Sequence, residues 1–240
     1  FAFDKEVEPG SALDFSFLLD APAGKYGHVT ASGENFSFER APERTIRFLG
    51  TNFCWGTVAP ERSVAEQVAR RLAAYGYNAV RFHHFDSMLF GGADGTEMQP
   101  QMLDRMDYFI YCLKQQGIYV TLDLHTTRKL TAAQLKSVPE GATGYGTLKL
   151  LLALRHPETY GNFRKLVRNF LNHRNPYTGL AWKEEPAIAT INLINEGNLA
   201  YWINVSNSRT GRELYRKRYR EFCAGQKLEG VEEFVRKRRF

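Results

Sequence analysis

A run of about 18 apolar residues, the least that a membrane-crossing helix needs, is missing from all 240 residues. The longest apolar stretch, Leu148 to Leu154, is broken by Lys149. Cysteine is scarce. Cys54, Cys112 and Cys223 are odd in number and far apart, which fits neither a disulfide framework nor a zinc knuckle. They read as ordinary buried or partly buried thiols. A phosphate-cradling glycine loop is absent where a dinucleotide fold would carry it: the first repeating strand runs into Thr51-Asn52-Phe53-Cys54-Trp55. Strong charge of one sign is absent from most of the chain. The net charge is +6, and Arg212 to Arg239 alone carry ten Lys/Arg against five Asp/Glu. That excess falls on a terminal helical segment, Arg212 to Arg220, and on the last few residues. It reads as a solvated helix face rather than a nucleic-acid surface. The chain opens at Phe1 with no basic-then-apolar leader, and compartment and oligomeric state stay open.

What the chain does contain is a regular order of strand and helix after a different start. Residues 1–44 read as a β lead-in. Ala12 to Leu19 alternates in part, Asn35 to Phe38 alternates again, and Pro42 demotes the residues after it to a turn. From residue 45 the order changes. Thr45 to Phe53 reads as a strand. A helix begins at the capping box Ser63-x-x-Glu66, with Val64, Val68, Leu72 and Tyr75 as its apolar stripe, and stops at Gly76. Tyr77 to Phe82 is the next strand. Leu103, Met106, Ile110 and Leu113 mark a second helix, stopped by Gly117. Ile118 to Leu124 alternates as a third strand, and Phe163, Leu166, Phe170 and Leu171 mark a third helix. Ala187 to Ile194 is a fourth strand, and Glu213 to Phe222 a fourth helix.

Strands alternating with helices predict an α/β fold with a parallel sheet. Helix-to-strand turns are short, while strand-to-helix segments are long, from His83 to Pro100 and from Thr126 to about Pro157. Long segments on that side are where a (β/α)8 TIM barrel builds its active face. A doubly wound sheet is the competitor, and the missing glycine loop counts against it. About four β/α units are visible in residues 45–240, so the barrel is expected to be incomplete in this chain.

Polar residues collect where the strands end. The first ends at Asn52 and Trp55, the second in Arg81-Phe82-His83-His84-Phe85-Asp86, the third in Asp123-Leu124-His125, the fourth in Asn195-Glu196. A barrel brings these ends to one rim. Glycoside hydrolysis needs a carboxylic acid that protonates the leaving oxygen and a second carboxylate opposite it. Glu196 suits the acid role if partial burial and a neighbouring carboxylate keep it protonated. Asn195 can bond a sugar hydroxyl, and Arg81 can orient the second carboxylate. His83, His84 and His125 can position hydroxyls. Trp55 and Trp202 offer flat faces for a pyranose ring, with core packing as the equal alternative.

Phe48-Leu49-Gly50-Thr51-Asn52, Asn78-Ala79-Val80-Arg81-Phe82-His83-His84, Leu122-Asp123-Leu124-His125 and Asn192-Leu193-Ile194-Asn195-Glu196, in that order, resemble the motifs of family 5 cellulase-type glycoside hydrolases and their clan. The segment Phe15 to Val29 resembles the lead-in of such proteins, and the likeness covers roughly residues 12 to 200. The resemblance implies a retaining mechanism, no cofactor, a β-linked glycan substrate and Glu196 as general acid/base. It also implies Arg81, His125 and Asn195 around the reacting sugar. Two departures stand out. Gly197 follows the Glu where many relatives have Pro or Asn. The family's nucleophile, a Glu at the end of strand seven, is expected to lie outside this chain, and the 240 residues alone are expected to be inactive.

Two other readings remain. His83, His84, Asp86, Asp123 and His125 could form a zinc site of a metal-dependent hydrolase on a barrel, although this leaves Asn195-Glu196 unused. A chain with half a barrel could also be an inactive carbohydrate-binding remnant.

Overall fold

A computed structural model describes residues 7–138, 144–205 and 208–225; the basic residues Arg236 to Arg239 lie outside them. The lead-in opens with a single 3-10 turn at Ser16–Leu18, so the partly alternating Ala12–Leu19 stretch is not a strand. Three antiparallel strands come next, β1 (Val29–Ser32), β2 (Asn35–Phe38) and β3 (Ala41–Ile46). Pro42 lies inside β3 and does not end it. The strand is at the edge of its sheet, where a missing N–H costs no ladder bond, and the register with β2 shifts beside it.

The repeating part begins at Gly50, not Thr45, because Thr45 and Ile46 belong to β3. Strand β4 (Gly50–Cys54) runs parallel to β5 (Ala79–His83). A Cβ on Gly50 would lie 3.2 Å from the Ala79 carbonyl oxygen, so a glycine suits the start of this pairing. Between them lies α1 (Arg62–Ala74). Its N-cap is Glu61 and no side chain caps it. Ser63 is within the helix, and Glu66 accepts from the Tyr108 hydroxyl instead of closing a capping box. The buried face is Ala65, Ala69, Leu72 and Ala73, while Val64 and Tyr75 are exposed. Small side chains let α1 lie close against α3 (Pro100–Gln115), and that close approach outweighs the larger apolar stripe.

A short helix, α2 (Asp86–Leu89), and a two-residue hairpin, β6 (Phe90–Gly91) with β7 (Glu97–Met98), fill the segment after β5. Strand β8 (Tyr119–Asp123) pairs with β5 and with β9 (Ile188–Asn192), giving the parallel order β4-β5-β8-β9. The long segment after β8 is not all loop. It holds α4 (Tyr145–Ala153) before α5 (Pro157–Asn172). After β9 come α6 (Leu199–Val205) and α7 (Arg209–Gly225). Among the described helices none is long and apolar enough to cross a membrane.

Alternation sorts each parallel strand into two faces. Val80, Phe82, Val120 and Leu122 join Phe109, Ile110, Leu166 and Phe170 in the main core beneath the helices. Arg81, His83, Thr121 and Asp123 take the other face. At the N-terminal end of the sheet, Tyr119 packs with Phe38, Ala23, Ala41 and Ala187, and Phe48 meets it edge-on at 5.8 Å. The Tyr119 hydroxyl accepts from the Gly24 amide at 3.1 Å. The lead-in thus seals one end of the parallel sheet with apolar contacts, and the opposite end carries the polar groups.

Candidate active site at the strand ends

The inward face of β5 and β8 presents a linked set. Arg81 forms an ion pair with Asp123 at 2.6 Å and donates to the Asn195 side-chain oxygen at 2.9 Å. His83 Nδ1 bonds the same Asp123 oxygen. Asp123 is fully buried; Arg81 and His83 both engage its Oδ2, and its Oδ1 has no protein partner. Because a guanidinium only donates, Asn195 must turn its oxygen toward Arg81. Its Nδ2 is then a buried donor with no protein partner. The Asn195 backbone amide bonds the His125 carbonyl at 3.0 Å, which pins the end of β9 to the end of β8.

Asp86 forms the second cluster. It is buried and accepts from the amides of Thr126, Thr127 and Arg128 at 2.7 to 3.0 Å, and from both threonine hydroxyls. Burial opposes its ionisation, yet the Thr126 hydroxyl and amide donors help to hold it well below the usual carboxylate range. His125 Nδ1 stands 3.6 Å from Asp86, too far for a good hydrogen bond, and neither of its ring nitrogens has a protein partner. Complete burial pushes its pKa down, against the pull of Asp86. A neutral imidazole with open hydrogen-bonding positions results.

Trp55 and His84 make a platform. Trp55 is 49% exposed, and its ring stacks on His84 with centroids 5.0 Å apart and planes 23° from parallel. His84 in turn lies 3.6 Å from the His83 ring. Burial, and then the His83 ring, lower the His84 pKa, so this imidazole is neutral near neutral pH. Trp55, His84 and Glu196 all have left-handed backbone, with φ of 57°, 52° and 52°.

Glu196 departs from the expected surroundings. Its side chain is 68% exposed, and its ionic partner is the Lys149 ammonium, 3.7 Å from Oε2. Burial and a neighbouring carboxylate, the two conditions expected to keep it protonated, are replaced by solvent and a cation. Trp202 is also corrected. It is 5% exposed, packs against Tyr145 and Tyr201, and donates from Nε1 to the Glu196 carbonyl at 2.6 Å. A Cβ on Gly146 would meet its ring at 2.6 Å. With its faces enclosed, Trp202 supports the Glu196 loop and offers no stacking surface for a sugar.

The zinc set weighed from the sequence does not assemble. Among the described residues no three His, Cys, Asp or Glu side chains converge as metal ligands. Asp86 is committed to the Thr126–Arg128 segment and Asp123 to Arg81 and His83. Sequence reasoning missed Lys149 as a site residue, although its signal was visible: one cation inside the run Leu148 to Leu154. It also missed the structural role of Asp86, whose partners lie 40 residues away and leave no local pattern.

A family model described as Cellulase (glycosyl hydrolase family 5) matches residues 29–148. Among solved structures, the chain is similar to the endo-1,4-beta-mannanase from Rhizomucor miehei, with 21% identity over 71% of this chain and 48% of that one, and a TM-score of 0.52. It is also similar to a variant of the family 5 mannosidase from Rhizomucor miehei in complex with mannosyl-fructose, with 14% identity over 79% of this chain and 54% of that one, and a TM-score of 0.53. At these identities the likeness concerns the fold: the four parallel β/α units are part of a (β/α)8 barrel. The chain spans about half the length of the structures it matches. No curated protein sequence matches it.

Proposed function

For a chain that belongs to glycosyl hydrolase family 5, we propose hydrolysis of β-linked glycans by a retaining two-carboxylate mechanism, with Glu196 as general acid/base. The observation that carries this reading is the Arg81 bridge. One guanidinium joins the end of β8, through Asp123, to Asn195, the residue before Glu196. It leaves Asn195 Nδ2 as a buried donor beside an exposed carboxylate, which suits the holding of a sugar hydroxyl next to the bond being broken. In the first step Glu196 gives its proton to the glycosidic oxygen as that C–O bond breaks and the second carboxylate bonds to the anomeric carbon; in the second it takes a proton from the water that displaces this carboxylate.

Asp86 and Asp123 are poor candidates for the nucleophile, since donors and cations already engage them. The second carboxylate is assigned to a later strand of the barrel, beyond the four described. Neutral His125 and His84, with the exposed face of Trp55, supply hydroxyl contacts and a ring platform. The mannanase and mannosidase likenesses make β-1,4-mannan the first polymer to assay, with β-1,4-glucan beside it. The test is Glu196→Gln in the full-length protein. Activity on unactivated oligosaccharides should fall by roughly 10²- to 10⁴-fold, with a smaller loss on substrates whose leaving group needs no proton. Equal activity of native and variant protein on unactivated oligosaccharides would rule out the assignment.

A further inference from the structure

Lys149 is the least expected charge in the molecule. Its side chain is 1% exposed, and its Nζ has no hydrogen-bond partner within the protein. It sits 4.8 Å from the Trp202 ring centroid and 5.3 Å from that of Tyr145. Aromatic faces attract an ammonium without consuming its donors. Among the described residues, the carboxylate within ion-pair distance is Glu196, at 3.7 Å. Three features therefore meet here: a leucine helix, a cation enclosed by two rings, and the exposed carboxylate of the strand end. Trp202 ties them further by bonding the Glu196 carbonyl.

We propose that Lys149 is a positioning residue for the reaction, an aromatic-caged ammonium on α4 that holds the Glu196 carboxylate in place. The inference rests on the assignment of Glu196 as acid/base. That residue must hold a proton to release the leaving group and must be a carboxylate to activate water. The ammonium attracts the carboxylate and not the neutral acid, so it orients Glu196 chiefly for the water-attack step. Lys149 acts through Glu196 and is assigned no proton transfer of its own. The groups that act on it are Glu196, Asp86 and Asp123, which favour its charge, and His84 and His125, which would oppose it if protonated. Burial is the largest influence and lowers its pKa, and the nearby carboxylates oppose that effect.

The test uses Lys149→Met, which keeps an unbranched chain between the rings, in the full-length protein. For an activated aryl β-glycoside, whose leaving group needs little help, the water-attack step limits turnover and kcat should fall about tenfold. For an unactivated oligosaccharide the loss should be within about twofold, the reverse of the order expected for Glu196→Gln. Equal losses on both substrates would be the mark of a purely structural lysine and would overturn the proposal. A second measurement does not depend on how Lys149→Met folds. The Lys149 side-chain NMR signal should titrate at lower pH in Glu196→Gln than in native protein, because the exposed carboxylate no longer supports the ammonium. An unchanged titration would dissolve the pair. Full activity of Glu196→Gln would instead remove the acid/base reading itself, so the two failures are told apart.

Discussion

Asp86 and Glu196 come after strands of the same sheet and end at the same rim, yet their surroundings are opposite. Asp86 is buried and accepts from five donors on Thr126, Thr127 and Arg128. Glu196 is 68% exposed, with a single cation at 3.7 Å. A carboxylate with every lone pair engaged ties the loop after β5 to the loop after β8, and it has no capacity left for a substrate. A carboxylate open to solvent contributes little to stability and is free to exchange a proton. On the role proposed for Glu196, the carboxylates at these strand ends divide into an anchor and a reagent, and the hydrogen-bond inventory tells them apart.

The largest effect that could break this contrast is on activity. Glu196→Gln should lose roughly 10²- to 10⁴-fold on unactivated glycosides while its denaturant midpoint stays close to native. A large loss of stability would place Glu196 among the anchors. Next comes Asp86→Ala, which leaves buried donors unpaired and should destabilise by about 3 kcal/mol, measured by urea unfolding. A stable variant would show that the Thr126–Arg128 segment is held by something else. The same anchor predicts an acid response. Because the folded pKa of Asp86 is depressed, its contribution is complete above the unfolded carboxylate value near ~4. It is lost as pH falls toward the folded value. Unfolding measured from pH 7 to pH 2 should therefore show a shallower acid decline in Asp86→Asn than in native protein. The smallest effect concerns the platform: Trp55→Ala should raise KM about fivefold with kcat nearly unchanged, as loss of uniform binding does. A fall in kcat with constant KM would move Trp55 from holding the substrate to shaping the reaction.

The sheet was legible in the sequence because strand alternation and helix stripes are local signals. Ile118 to Leu124, with Val120 and Leu122 toward the helices, shows both the strand and its two faces. The order of strand ends also groups Arg81, His83, His125, Asn195 and Glu196 from the sequence alone. The features that escaped were decided by partners distant in sequence. Val64 and Tyr75 look like a core stripe, but the alanines of α1 are buried because α3 comes close. Trp202 has the composition of a sugar platform, but α4 encloses it. Helix α4 itself was hidden in a stretch that reads as a long loop, and Lys149 went with it.

Three of the four left-handed non-glycine residues among those described, Trp55, His84 and Glu196, stand at the strand ends, while the fourth is Arg155, and the three have a consequence for how this protein could be hardened. Each holds a side chain in a conformation that glycine adopts freely and other residues adopt at a cost of about 1 kcal/mol. A screen for thermal tolerance, blind to turnover, would therefore be drawn to glycine at the positions proposed to bear the platform and the acid/base. On that proposal, survivors of such a screen would be sturdier and catalytically empty. Any thermostabilising effort should fix these three positions first and look for its gains at the apolar, lead-in end of the sheet.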